Sequence, residues 1–150
     1  LMESVEIYNV KKPFWTEYIE KCLAQIPNPK EFAYLIKPHP IQSKESIELT
    51  KSYFLKQGLD YKLLDEPVLV GMSSEVLFPL IKNNTRHVFA LFSSSVFYTS
   101  ILYPSPEITF HYSYDLMANH ISDAPEMYKE HFTGLKELIE KVFSCNCRSF

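Results

Sequence analysis

Glycine and cysteine are both scarce in this chain, and each scarcity excludes a class of protein. Only 3 glycines occur among 150 residues, and no tract has the composition of a flexible linker or low-complexity segment. The 3 cysteines are odd in number and lack paired spacing, which excludes a disulfide framework and fits a reducing cytosol. Cys145 and Cys147 have no partner ligands near them in sequence, so we expect no zinc site.

Strong charge of either sign and long apolar runs are missing as well. The 15 basic and 18 acidic residues give a net charge of −3, which is no footprint for nucleic acid or for an anionic membrane surface. No apolar run approaches the roughly 20 residues of a membrane span, and no signal peptide is visible. We therefore expect a cytoplasmic protein. A location at the inner face of the cell membrane is the alternative.

Strand-like and helix-like segments alternate along a chain that is 46% hydrophobic, enough for one domain with a core. The predicted strands span 4–9, 32–36, 60–64, 87–92 and 107–112, with 67–71 as a further short strand or part of the preceding crossing. The predicted helices span 14–26, 43–57, 73–83, 96–103 and 125–143. This alternation predicts an α/β, Rossmann-like layered domain with a mainly parallel sheet.

Three polar features follow predicted strands, where ligands of parallel sheets bind beyond the carboxyl ends. The segment KPHP holds Lys37, His39 and Pro40, Glu75 opens a predicted helix, and Ser93, Ser94 and Ser95 join a strand to a helix. Helix amides and hydroxyls can bind phosphate, an imidazole can donate to it, and a carboxylate can accept from ribose hydroxyls. Each feature also has a structural explanation, as a helix cap, a surface turn or a charge at a helix N-terminus.

The remaining histidines predict no ligand site. His87 is predicted to be a surface residue, together with Arg86, where the chain enters the strand at 87–92. His111, His120 and His131 are too scattered in the sequence to predict a metal site.

In their order along the chain, "KPHP" (37–40), "SSEVLFPLI" (73–81) and "VFALFSSSVFYTS" (88–100) resemble a known pattern. The pattern is that of the C-terminal half of bacterial sialyltransferases of GT-B type, in the lipooligosaccharide sialyltransferase and polysialyltransferase-like group. The resemblance covers roughly residues 30–103.

The resemblance implies a donor-binding domain for CMP-sialic acid, whose sugar is transferred to a glycan acceptor. Lys37 would lie by the cytosine and Glu75 would hold the ribose. His39 and the serines Ser93–Ser95 would bind the phosphate, and His39 would protonate the departing CMP. The family needs neither metal nor cofactor, and this chain has no Asp-x-Asp pair.

The chain departs from the family at the general base, an aspartate that the family places in an acidic motif of its N-terminal half. None of the aspartates of this chain matches that motif; they are Asp60, Asp65, Asp115 and Asp123. We therefore expect residues 1–150 to be one nucleotide-sugar binding domain, a fragment of a longer two-domain enzyme, without turnover of its own. Its expected partners are the donor, the glycan acceptor and the missing N-terminal domain, with a homodimer also open.

Two alternatives stay open. CDP-glycerol glycerophosphotransferases also use His-Pro and paired serines on a GT-B fold, but usually carry Asp-Tyr where Leu91 and Phe92 stand here. The chain could instead be a nucleotide-binding or interaction domain without catalysis.

Overall fold

The computed structural model describes residues 13–40, 42–91, 94–113, 115–116, 120, 130, 133–134, 137 and 147–149. These residues belong to two compact units, Leu1–Met72 and Ser73–Phe150, and each unit is described by itself. The predicted strand at 4–9 and most of the predicted helix at 125–143 lie outside the described residues. The prediction of a single domain stays a prediction.

The first unit contains a β-α-β motif. Its elements, in chain order, are α1 (Pro13–Ala24), a 3-10 turn (Pro29–Glu31), β1 (Ala33–Ile36), α2 (Lys44–Gln57), β2 (Asp60–Leu63) and α3 (Pro67–Gly71). β1 and β2 pair in parallel, with Ala33 opposite Asp60 and Ile36 opposite Leu63. Because parallel neighbours cannot be joined by a tight turn, α2 makes the crossover between them.

Local signals set both ends of α2. The Ser43 hydroxyl accepts a hydrogen bond from the Ser46 amide at 3.2 Å, which satisfies one of the first N–H groups of the helix. Gly58 ends the helix at φ 63°, a left-handed conformation that glycine adopts without a Cβ penalty, and its N–H donates to the Leu55 carbonyl at 3.1 Å. The predicted helix at 43–57 is confirmed to within one residue.

An aromatic cluster joins α2 to the two-stranded sheet. The buried Phe54 ring lies 5.2 Å from the Tyr34 ring of β1 and 5.6 Å from the Tyr61 ring of β2. Ring pairs in this geometry contribute about 0.5–1.5 kcal/mol each beyond their buried area. Phe54 therefore lies on the buried face of α2.

The segment 67–71 is a short helix, so the prediction of a strand there was wrong. Its valines and leucine favour strands. Pro67 outweighs them, because it stands in the first turn, where its fixed φ suits a helix and its missing N–H costs nothing. The Val70 and Met72 amides then donate to the Glu66 and Val68 carbonyls at 3.0 and 3.1 Å.

The second unit contains another β-α-β motif with an added strand. Its elements are α4 (Ser74–Ile81), a 3-10 turn (Lys82–Asn84), β3 (His87–Ala90), α5 (Ser94–Leu102), β4 (Thr109–Tyr112) and β5 (Cys147–Ser149). The strand order is β3-β4-β5 and both pairings are parallel. The prediction of a last strand at 107–112 therefore missed β5, whose sequence Cys-Arg-Ser carries no strand pattern. Every strand pairing among the described residues is parallel, which confirms an α/β fold with parallel sheets.

Aromatic rings also build the core of the second unit. Phe78 of α4 lies 5.8 Å from Phe110 of β4, and Phe97 of α5 lies 5.5 Å from Tyr112 in an edge-to-face arrangement. Phe110 and Tyr112 are two residues apart in a strand, so they share one face of the sheet. The helices α4 and α5 cover that face.

Pro79 creates a gap in the hydrogen bonding of α4, which Tyr103 closes. Proline has no N–H, so the Glu75 carbonyl four residues earlier loses its helical partner. The Tyr103 hydroxyl donates to that carbonyl at 3.4 Å, and its ring lies 5.7 Å from Phe78. A residue after α5 thus completes the backbone bonding of α4.

Tyr103→Phe should destabilise the protein, because it leaves the Glu75 carbonyl without this donor while keeping the ring. We expect a loss of about 0.5–1.5 kcal/mol in the free energy of unfolding. In a Pro79→Ala background the restored amide supplies the donor, so the same change should cost much less. Urea unfolding of the wild type, the two single variants and the double variant measures the coupling energy between the two positions. Equal costs in both backgrounds would show that the hydroxyl does not replace the missing amide.

Candidate functional site

The KPHP segment follows the carboxyl end of β1, and Lys37 is fixed there by a contact with α3. Its ammonium donates to the Val70 carbonyl at 3.0 Å, near the end of that helix. The last carbonyls of a helix lack intrahelical partners and carry partial negative charge, so they attract a cation. Lys37 is half-buried, and the bond holds its charge close to the segment that follows β1.

His39 lies in a small loop closed by two hydrogen bonds. Its amide donates to the Gln42 side-chain oxygen at 3.3 Å, and the Gln42 amide donates back to the His39 carbonyl at 3.0 Å. Pro38 is buried and Pro40 is exposed, and each ring fixes φ on one side of the histidine. The backbone of His39 is therefore preorganised before any ligand arrives.

Burial lowers the pKa of His39 below its ordinary value of 6.5, and the positive charge of Lys37 lowers it further. Both causes disfavour the imidazolium, because one removes water from the charge and the other places a like charge near it. At neutral pH His39 is therefore mainly neutral. It can become a cationic ligand for phosphate only by taking up a proton when the anion binds.

Glu75 stands in the first turn of α4, as predicted. The side chain is half-buried, and a carboxylate at this position is stabilised by the partial positive charge of the helix N-terminus. The Ser73 side chain makes no capping hydrogen bond to this helix. The position suits the simple helix-charge explanation, and the role of Glu75 as a ribose ligand stays a prediction.

Ser94 and Ser95 lie at the start of α5, which begins at Ser94, earlier than the predicted 96. Ser95 is half-buried and Ser93 lies outside the described residues. Leu91 is fully buried at the end of β3, and its carbonyl accepts a hydrogen bond from the Ser113 amide at 2.9 Å, just beyond β4. The helix therefore begins at the carboxyl end of a parallel strand, and Ser94 and Ser95 both belong to its first turn.

The predicted site residues thus form two groups in two units. Lys37 and His39 are close enough in the first unit for one charge to shift the pKa of the other. Glu75 and Ser94 both lie in first turns, of α4 and α5, two helices of the second unit that pack against each other. Within the described part of the chain, no group of three or more His, Cys, Asp or Glu side chains could hold a metal ion.

A histidine pair was missed by the sequence reasoning. His87 Nδ1 and His111 Nε2 lie 3.1 Å apart, and the Phe89 ring stacks on His111 at 4.3 Å. His87 is half-buried rather than a surface residue, and His111 is buried. The parallel register could have revealed the pair, since it places His111 opposite Phe89 and so on the same face as His87. One imidazole must donate and the other accept, so the pair cannot carry two protons on the shared bond.

Comparisons with protein-family models, curated proteins and solved structures gave no match. The resemblance to the sialyltransferases therefore rests on the three motifs quoted above. Among the described helices, none has both the length and the apolar character that crossing a membrane requires.

Replacing Lys37 should raise the pKa of His39. Lys37→Met removes the like charge and keeps a long side chain, so the pKa should move up toward 6.5 while burial holds it below that value. Histidine ring resonances followed by NMR across pH measure the change. Lys56→Met, at the exposed end of α2, should leave the pKa of His39 where it is. An unchanged pKa in Lys37→Met would show that the two side chains do not interact.

Proposed function

We propose that this chain is the donor-binding part of a sialyltransferase, with a Rossmann-like GT-B architecture and CMP-sialic acid as its donor. The observation that carries the proposal is the placement of two polar segments. KPHP follows the carboxyl end of β1, and the serine run opens the helix after β3. Ligands of parallel α/β sheets bind at these ends.

Each residue has a role that its chemistry supports. The Lys37 ammonium lies by the cytosine, and the Glu75 carboxylate accepts hydrogen bonds from the ribose hydroxyls. The first-turn amides of α5 and the hydroxyls of Ser93, Ser94 and Ser95 donate to the phosphate. His39 donates to the same phosphate, and Pro40 helps to fix its backbone. The site uses hydroxyls, amides and an imidazole, so it binds the donor without a metal.

His39 also assists the departure of CMP. In the transfer, the bond between the sialic acid anomeric carbon and the phosphate oxygen breaks, and the electron pair stays on the phosphate. A phosphate monoester has its second pKa near ~6, so a proton or a strong hydrogen bond from an imidazolium stabilises the leaving group near neutral pH. The acceptor hydroxyl forms the new bond and must lose its proton to a base. That base comes from the other half of the enzyme, as in the family that the chain resembles.

The lowered pKa of His39 suits this role. The site is uncharged at His39 before the donor binds, so the phosphate itself brings the proton onto the ring by raising its pKa. Until then, burial and the like charge of Lys37, whose ammonium is held by the Val70 carbonyl, keep the pKa of the ring low.

Nucleotide titration tests the proposal. By calorimetry the chain should bind CMP more tightly than UMP or AMP, equally well in EDTA and in magnesium. The affinity of the wild type should be highest below the free-state pKa of His39. It should fall as pH rises to the bound-state pKa and stay at its minimum above it, because binding takes up a proton between the two values. His39→Ala should remove this dependence, apart from the titration of the phosphate near ~6.

Two matched variants sharpen the result. Ser94→Ala should weaken binding by about 0.5–1.5 kcal/mol, or up to about 3 if the phosphate charge strengthens the bond, with the pH profile unchanged in shape. His120→Ala, another half-buried histidine, should behave like the wild type. Equal affinity for all three nucleotides would contradict the proposal, and binding lost in EDTA would contradict the metal-free site. Tighter binding of CDP-glycerol than of CMP-sialic acid would favour the glycerophosphotransferase alternative.

A further inference from the structure

The second unit has a cleft of about 470 Å³ at the amino ends of β3 and β4. Arg86 directly precedes β3 and Ile108 directly precedes β4, and both line it. The Thr109 amide donates to the Arg86 carbonyl at 2.9 Å, so the two strand entries are joined at this edge. The serine run begins α5 at the opposite, carboxyl end of β3, so the cleft is separate from the proposed donor site. Its volume lies in the range of small-ligand sites, which is about 300–1,000 Å³.

The positive charges of this stretch of chain converge on the cleft. Lys82 and Arg86 are the only lysine and arginine in the sequence 73–113, and both line it, with Glu107 as the one carboxylate. Arg86 Nη1 lies 3.4 Å from Glu107 Oε2 and 3.2 Å from the Thr85 carbonyl, which fixes one edge of the guanidinium. A guanidinium has five donors, so most of them are available for a ligand. The cleft carries a net charge of about +1 in a chain of net charge −3.

Tyr103 lines the cleft, and its ring faces the second cation. Its hydroxyl donates to the Glu75 carbonyl, and the Lys82 ammonium lies 5.4 Å from the centre of its ring. A cation over an aromatic face at this distance is attracted by the ring quadrupole. The Lys82 charge is therefore held at the cleft, where Asn83 and Ser105 add polar groups that can bond to hydroxyls.

We infer that this cleft is a second ligand site, which binds a phosphate monoester. A phosphate of charge −1.5 to −2 matches two nearby cations, and the guanidinium fork of Arg86 suits two phosphate oxygens at once. The organic part of the ester lies toward Asn83 and Ser105. Glu107 opposes the ligand by repulsion and by competing for Arg86. The inference does not depend on the proposed donor site, which lies at the other end of β3.

NMR titration of the ¹⁵N-labelled chain with inorganic phosphate and with glycerol 1-phosphate tests this site. Saturable shifts should appear at the amides of Lys82–Arg86 and Ser105–Ile108, and glycerol 1-phosphate should bind at least as tightly as inorganic phosphate. Arg86→Gln should weaken binding about tenfold or more, as expected for a lost hydrogen bond between charged groups. Glu107→Gln should strengthen it. Added salt should weaken it, because the cleft is open to solvent.

Lys51→Gln and Glu48→Gln are matched controls, since these residues form an exposed ion pair at 2.7 Å in the first unit. They change the net charge by the same amounts and should leave the affinity unchanged. The inference would be overturned if the Lys51 and Glu48 variants changed the affinity as much as the Arg86 and Glu107 variants do. Shifts without saturation would also overturn it, and so would binding of inorganic phosphate but not of the ester. Shifts confined to Ser94 and Ser95 would also overturn it, while supporting the anion site proposed for the donor.

Discussion

Parallel pairing of very short strands is the constraint on which the rest of this structure depends. The pairs β1-β2 and β3-β4 each align four residues of one strand with four of the other, and each needs a helix to return the chain to the same edge. All loops that follow the strands therefore leave from one edge of each sheet. This arrangement places KPHP after β1 and the serine run after β3, so the position of both candidate groups follows from strand direction.

In the first unit, electrostatics sets the protonation state of His39. Burial lowers the pKa of His39, and the charge of Lys37, which is bonded to the Val70 carbonyl, lowers it further, so the neutral ring is favoured. An imidazole that gains its proton only when an anion is present binds that anion with a pH dependence that a permanently charged residue lacks. At the opposite edge of the second sheet, the charged side chains that line the cleft are those of Lys82, Arg86 and Glu107.

Features that depend on neighbouring residues could be predicted from the sequence, and those that depend on distant ones could not. The ends of α2 were predictable because Ser43 and Gly58 act on their own helix. The strand that was one of two alternatives for 67–71 is wrong because Pro67 favours the first turn of a helix over the strand propensity of the segment. β5 and the His87–His111 pair were missed because both exist only through the register with β4, which no local pattern encodes. For the candidate site, the sequence predicted that its motifs follow strands, but not the contacts that hold Lys37 and His39 in place.

The most direct test of the account is whether the candidate residues respond to a cytidine nucleotide. CMP should be titrated into the ¹⁵N-labelled chain, with the amides of Lys37, His39, Glu75, Ser94 and Ser95 followed by NMR. The account predicts that all of them shift together, with a single dissociation constant and saturation at one CMP per chain. Shifts in only one group, or two groups with different constants, would contradict the proposed roles of these residues.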